Sequence, residues 1–358
     1  MARIDSFLRL VVEQRASDLH LHSGMSPTIR FNGELLPLPF RALSAAETKR
    51  LLGEILDEVQ LASLEHQLDL DFLYLLDGVA RFRANAFHQN NGLGAVFRVV
   101  RPEPPTFDEL LLPPVLRRVT QLNNGLVLVT GPTGAGKTTN VAALVNEINR
   151  NARRHIVTVE DPIEYIHKPL ASVISQRQVE KHTESFASAL RSALREAPDV
   201  LVVGELRDQE TVSLALSAAE TGILVIGTLH TNSASKTVDR LIDIMPVDSR
   251  EQVRSVVASL LRCVVAQHLC RRASGEGMVA VMEVLIQSWA TITMIREAKT
   301  HQLDSYLQLA ANQATGSLSL DDCIASHVRN GYVSLDDGLK VASNPHRVRE
   351  LVGTATDE

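Results

Sequence analysis

The stretch that most constrains this chain is Gly131-Pro132-Thr133-Gly134-Ala135-Gly136-Lys137-Thr138-Thr139. It satisfies G-x-x-x-x-G-K-[ST], a pattern whose backbone N–H groups cradle phosphates. Gly125-Leu126-Val127-Leu128-Val129-Thr130 precedes it as an apolar run and predicts a buried strand. Val141, Leu144, Val145 and Ile148 follow at helical spacing and predict a helix from Lys137 to about Asn149. Strand, glycine-rich loop and helix together aim N–H groups and the positive end of a helix dipole at an anion. The plain structural alternative is a glycine-rich turn with a solvated lysine.

A buried strand of this kind needs neighbours. Ile156-Val157-Thr158-Val159, Val200-Leu201-Val202-Val203 and Ile223 to Leu229 are similar apolar runs, and helical patterns lie between them at Phe186 to Arg195 and Thr211 to Ala219. Runs buried on both faces and separated by helices predict an α/β fold with a parallel sheet. Ser249 to Leu269 carries a long apolar stripe that reads as a helix, followed by a smaller helical bundle from Thr291 to Val341. Thr354 to Glu358 reads as a frayed tail.

The first 100 residues have a different rhythm. Ile4, Phe7, Leu8, Val11 and Val12 predict an opening helix, and Asp18 to His22 and Thr28 to Phe31 read as paired strands with a turn at Asn32-Gly33. Ser44 with Glu47 is a capping-box pattern before a helix carrying Leu51, Leu52, Ile55 and Leu56. Asp69 to Leu75, Val79 to Phe87 and Leu93 to Val100 predict three more strands, with turns at Asp77-Gly78 and Asn91-Gly92. This outlines a small α+β domain over residues 1–100. Arg101-Pro102-Glu103-Pro104-Pro105 makes residues 101–106 a stiff linker, and a second domain occupies 107–358.

Composition narrows the function. Net charge is −6 and aromatic residues make up 4%, so neither a basic field nor base-stacking platforms point to nucleic acid. Cys263, Cys270 and Cys323 form no C-x-x-C pair, which argues against a zinc site and fits a reducing compartment. No apolar run approaches the ~20 residues that span a bilayer. The expectation is a cytoplasmic protein with no direct membrane insertion, whose membrane contact goes through a partner.

Hydrolysis of a bound nucleotide needs a metal ligand, a group that polarises water and positive charge on the transferred phosphoryl. Lys137 is placed to reach the β- and γ-phosphates and the Thr138 hydroxyl to ligate Mg²⁺. Glu205, just past the run Val200 to Val203, is the candidate acidic partner for the metal, with a glycine, Gly204, where many such sites carry an Asp. Glu160, Asp161 and Glu164 form an acidic cluster that fits either a general base, its carboxylates buried together, or a capped surface turn. His230 ends a strand run and fits a γ-phosphate sensor or a structural histidine. His20 and His22 share a strand face with Asp18, which favours a structural role over a metal pair. Arg81, Arg83 and Arg98 lie on predicted strands, and read either as a solvated face or as cations delivered to a phosphate.

In this order the segments resemble the PilT-like branch of the secretion ATPases, the type IV pilus retraction motors. The carrying residues are the loop at Gly131 to Thr139, Thr158 to Tyr165 (similar to the Asp box), Leu194 to Asp199 with Val203 to Asp208 (Walker B), and Ala219 to Gly222 with Gly227 to Thr231 (His box). Ser17 to Leu21, Arg81 to Phe87 and Ile295 to Gln302 match as well. The resemblance implies a RecA-like P-loop NTPase domain behind a PAS-like N-terminal domain, and a homo-hexamer that hydrolyses ATP with Mg²⁺ between the two domains. It makes Glu164 the general base, Glu205 the Walker B acid and metal ligand, and Arg81, Arg83 and Arg98 cations that approach the phosphates. It ties Ala290 to Glu297 to retraction. Implied partners are an inner-membrane pilus platform protein and a paralogous motor subunit. One departure stands out: the second histidine of the family's His box is replaced by Ile223, which removes a group able to donate to phosphate. That leaves an accessory retraction paralogue with weak catalysis, or an assembly ATPase, as the alternatives.

Overall fold

A computed structural model describes residues 2–31, 33–100, 103–309 and 315–353. It divides into two units: Met1–Glu103 with Glu164–Ile166, and Pro104–Ile163 with His167–Glu358. Asn32 of the expected turn, Arg101 and Pro102 of the expected linker and the expected tail at 354–358 lie outside the described residues.

The first unit is an antiparallel sheet of six strands with helices on one face. Its strands are β1 (Asp18–His22), β2 (Thr28–Phe31), β3 (Glu34–Pro37), β4 (Asp69–Leu76), β5 (Ala80–Gln89) and β6 (Gly92–Val100), in the order β3-β2-β1-β6-β5-β4. Period-two alternation decides which face is covered: along β5, Ala80, Phe82, Ala84 and Ala86 are buried while Arg81, Arg83 and Asn85 are half-exposed. Helix α1 (Ile4–Glu13) contributes Ile4, Leu8 and Val11 to that core, where Phe72 meets Phe97 edge to face at 6.1 Å.

The other face carries a row of charge. Arg30, Asp18, Arg98 and Arg83 are successive cross-strand neighbours on β2, β1, β6 and β5. Asp18 is 3% exposed; it accepts from Arg98 Nε at 2.8 Å and Ser17 Oγ at 2.7 Å, with Arg30 Nε at 3.8 Å.

Helix α2 (Ala45–Gly53) starts with the expected capping box between Ser44 and Glu47. It ends sooner than its apolar spacing suggests, so Ile55 and Leu56 lie beyond it. A second capping box, Asp57 with Gln60, then starts α3 (Glu58–Gln67), which sequence reading missed.

The second unit is built on a seven-stranded sheet. Its strands are β7 (Gly125–Thr130), β8 (His155–Glu160), β9 (Val173–Gln178), β10 (Val200–Val203), β11 (Leu224–Leu229), β12 (Leu261–Arg271) and β13 (Met278–Ile286). The order is β13-β12-β7-β11-β10-β8-β9, parallel throughout except for the β12–β13 hairpin. Helices α4 (Val115–Thr120), α5 (Lys137–Asn151), α6 (Phe186–Ala193), α7 (Gln209–Glu220) and α8 (Ala234–Asp243) join or flank these strands, and β7, β10 and β11 are buried at every position.

The predicted helix from Ser249 to Leu269 is a correction. Helix α9 (Arg250–Leu260) stops at Leu261, where the backbone turns extended, and the rest of the stretch is β12. An apolar stripe fits either period over so short a span. Pairing with both β7 and β13 resolves it as a strand that is buried from Cys263 to Gln267. A short 3-10 turn (Val247–Ser249) precedes α9, and the remaining α-helices among the described residues are α10 (Trp289–Arg296), α11 (Gln302–Gln308), α12 (Leu320–Arg329), α13 (Leu335–Val341) and α14 (Pro345–Gly353). All three cysteines are free and buried in this unit. Burial pushes the thiol up to about 12 at Cys263 and Cys323, and to about 11 at Cys270.

The charge row yields a test. Asp18→Ala leaves two arginines without their shared carboxylate; because both reach solvent, the expected cost is only about 1–2 kcal/mol. Thermal unfolding of the full chain should show a lowered midpoint, and an unchanged midpoint would mean that water replaces the carboxylate fully.

Candidate active site

Register sets the site. At the end of β7 Thr130 pairs with Leu229, the last residue of β11, and at the end of β10 Val203 pairs with Gly227. The glycine-rich loop, His230 and Glu205 therefore leave one edge of the sheet from three adjacent strands, the carboxyl edge where ligands collect in open α/β sheets.

The loop bends through Gly131, Gly134 and Gly136 at φ of +149°, +81° and +82°. A Cβ on Gly131 would also lie 2.4 Å from the Gln267 carbonyl oxygen, so this position excludes a side chain sterically. Helix α5 begins directly after Gly136, and Thr138 and Thr139 sit half-buried on its first turn. Lys137 Nζ donates to the carbonyls of Gly131 at 2.8 Å and Pro132 at 3.1 Å. Burial lowers the Lys137 pKa, and the Glu205 carboxylate partly offsets this.

Lys137 Nζ also lies 3.3 Å from His230 Nδ1, and His230 Nε2 lies 3.3 Å from Glu205 Oε1. An ammonium can only donate, so Nδ1 is the acceptor and Nε2–H faces Glu205. Arg207 Nε approaches the other oxygen, Glu205 Oε2, at 2.7 Å. Lys137, His230, Glu205 and Arg207 thus form one continuous polar chain across three strand ends. A Cβ on Gly204 would stand 3.1 Å from the Val159 carbonyl oxygen and 3.2 Å from Glu160 Cα, so a side chain there would press on the backbone of β8.

The segment after His230 is tied down at several points. Thr231 Oγ1 and Thr237 Oγ1 are 2.7 Å apart, and Thr237 also reaches Thr130 Oγ1 at 3.3 Å. His268 Nε2 lies 3.3 Å from the Asn232 carbonyl, and Glu283 Oε1 accepts from Ala234 N at 2.7 Å. Behind the loop, Gln267 donates to the Ala135 carbonyl at 2.7 Å and accepts from Asn140 Nδ2 at 2.6 Å. Sequence reading missed Arg207, Gln267 and Glu283. A lone glutamine and a lone glutamate inside apolar strand runs were the available signal.

The acidic cluster is not a shared buried site. Glu160 accepts from Thr158 Oγ1 at 2.7 Å and Gln176 Nε2 at 3.1 Å, whereas Asp161 is exposed. Glu164 groups with the first unit, where Arg83 Nη1 lies 3.6 Å from its Oε1. Arg98 is engaged by Asp18, and Arg81 shares the Arg83 face of β5. His20 and His22 stack with ring centroids 6.1 Å apart, and burial lowers the His20 pKa. Among the described residues no group of three or more His, Cys, Asp or Glu side chains is arranged to hold a metal.

Ile223 is a second correction. It stands before β11, at the end of that strand opposite His230, and is 9% exposed within the core. A strand of this length spans roughly 20 Å, so within this chain a histidine there would not face the loop.

Residues 2–303 match the family of type II/IV secretion system proteins. The chain is 42% identical over 342 residues to the type IV pilus retractation ATPase PilT of Pseudomonas aeruginosa, covering 96% of this chain and 98% of that protein. It is 43% identical over 319 residues to the twitching motility protein of Neisseria gonorrhoeae, covering 89% and 85%. Among solved structures, the pilus retraction motor PilT with bound ADP matches with a TM-score of 0.88 at 39% identity, covering 98% of this chain and 100% of that one.

Glu283 gives a pH test. Burial raises its carboxyl from 4.5 to about 7, against the opposing bond from Ala234 N. Between those values the folded state binds more protons than the unfolded state, so stability falls as pH rises through the window, by on the order of 2 kcal/mol. Glu283→Gln keeps an acceptor for Ala234 N without the charge. Its melting temperature relative to wild type should climb between about pH 5 and pH 7.5, and a flat difference would refute this burial effect.

Proposed function

The chain belongs to the type II/IV secretion system protein family, and on that footing we propose that it is a hexameric ATPase motor that powers type IV pilus retraction and twitching motility. The observation that carries the reading is the polar chain from Lys137 through His230 to Glu205 beside the glycine-rich loop. It gathers a phosphate-binding cation, a sensor and an acid on three adjacent strand ends. Identity to a pilus retraction ATPase and a twitching motility protein over most of the chain supports the filament and the direction of force.

The residues fit ATP. Gly131 leaves room for no side chain against Gln267, and the N–H groups of Gly134 to Thr139 open the first turn of α5, where negative charge is favoured. Lys137 exchanges its bonds to the Gly131 and Pro132 carbonyls for phosphate oxygens. His230, between Lys137 and Glu205, senses the terminal phosphate. The oxygen donors Thr138 and Glu205 suit Mg²⁺, which takes few protein ligands when it shares phosphates. Held there, the ion would supply positive charge against that which builds on the transferred phosphoryl. Glu164 takes the proton of the attacking water, and Arg83, beside it, supplies positive charge together with Arg81 and Arg98. Residues 1–100 and 107–358 act as the two domains of each subunit, joined at 101–106. Among the described residues no helix is long and apolar enough to cross a membrane, which fits a cytoplasmic motor held at the inner membrane by a pilus platform protein.

Lys137→Ala should abolish turnover, and Glu164→Gln should lower kcat by about 10²–10⁴-fold. Both are read by phosphate release from purified protein. Near-normal activity in Lys137→Ala would sink the reading. A wild-type protein that turns over only with a paralogous motor would favour the accessory role instead. Deleting the gene should leave excess unretracted surface pili, whereas bald cells would indicate an assembly motor.

A further inference from the structure

Strand β12 runs beside β7 and presents one polar side chain to the phosphate loop. Gln267 is 3% exposed, on a strand otherwise apolar from Cys263 to Ala266. Its backbone carbonyl is the atom a Cβ on Gly131 would strike at 2.4 Å. Its side-chain Nε2 donates to the Ala135 carbonyl at 2.7 Å and lies 3.0 Å from where a Cβ on Gly136 would stand. One residue therefore meets the loop at positions 131, 135 and 136. The amide chain also has a direction. Asn140 Nδ2 donates to Gln267 Oε1 at 2.6 Å, while buried Asn140 Oδ1 has no donor among the described residues, so donation runs from α5 through Gln267 into the loop.

We infer that Gln267 is a positioning residue that presets the loop for phosphate. A trans peptide is planar, so its C=O and N–H point in opposite directions. Holding the Ala135 carbonyl toward β12 turns the N–H of Gly136 away from β12, where it can donate to an anion. An amide suits this post because it donates and accepts at once without carrying charge. A carboxylate would set oxygen against the carbonyl oxygen, and an aliphatic side chain would leave the peptide unheld.

This inference rests on the ATPase reading, so wild-type binding is measured alongside. The test titrates a fluorescent ADP analogue into full-length wild type, Gln267→Leu and Gln267→Glu, with melting temperatures recorded without nucleotide. Gln267→Leu should bind about tenfold more weakly, the worth of one buried hydrogen bond, with a melting point within a few degrees of wild type. Gln267→Glu should bind almost as wild type near about pH 6, where a buried carboxyl keeps its proton and donates to Ala135, and lose about tenfold by about pH 8.5 as it ionises. Wild type is titrated at each pH as the reference, because Glu283 changes charge in the same range, and a pH-dependent loss relative to wild type confined to Gln267→Glu is one that a merely packing role does not produce. Tight wild-type binding matched by both variants at every pH overturns the inference, as does a Gln267→Glu defect of equal size throughout. Wild-type protein that binds no nucleotide overturns the ATPase reading and this inference with it.

Discussion

Parallel pairing among β7, β11 and β10 is the constraint on which the site depends. Parallel strands present their carboxyl ends at one edge: Thr130 pairs with Leu229, while Val203 pairs with Gly227, two residues short of the end of β11, so Glu205, two residues beyond β10, comes level with that edge. Loops leaving a level edge bring side chains distant in sequence within hydrogen-bond reach. His230 can then accept from Lys137 with one nitrogen and donate to Glu205 with the other. Full burial of β7, β10 and β11 maintains this alignment, because a one-residue slip would move apolar side chains and the polar termini together.

The charged groups around that edge are shared. Glu205 faces both His230 and Arg207, and Lys137 is divided between two carbonyls and a ring nitrogen. Each bond that a phosphate oxygen or a metal ion takes over displaces an existing partner. Affinity is therefore a difference between two sets of contacts, and a change at one member of the chain reaches the others. The first unit repeats the arrangement with Asp18 between Arg30 and Arg98.

Much of this was legible in the sequence because local signals and burial agreed. Apolar runs at 125–130, 156–159, 200–203 and 223–229 correspond to β7, β8, β10 and β11, and the capping box at Ser44 starts α2. The missed strands have different physical causes. β3 is exposed at every position and β9 carries Ser, Gln and Arg, so neither edge strand has the apolar signature of a central one. β12 has that signature, but its stripe runs on from α9, and only pairing with β7 and β13 separates strand from helix. Gln267 was hidden by the same misreading. As a residue on a helix face it would be unremarkable, whereas on a buried strand its amide must find partners, and the partner it finds is the loop. Ile223 is different: the run Ile223 to Leu229 already put it at the opposite end from His230, but only the parallel pairing of β11 with β7 shows that this end lies away from the glycine-rich loop.

The cysteines have a consequence of a different kind. Thiolate is the reactive form, and burial holds Cys263, Cys270 and Cys323 far from it. All three lie in the second unit. A slow thiol reagent therefore acts as a clock for the opening of one half of the molecule and is blind to the other. The protein carries a built-in reporter of local unfolding around its own parallel sheet, without any label having to be engineered.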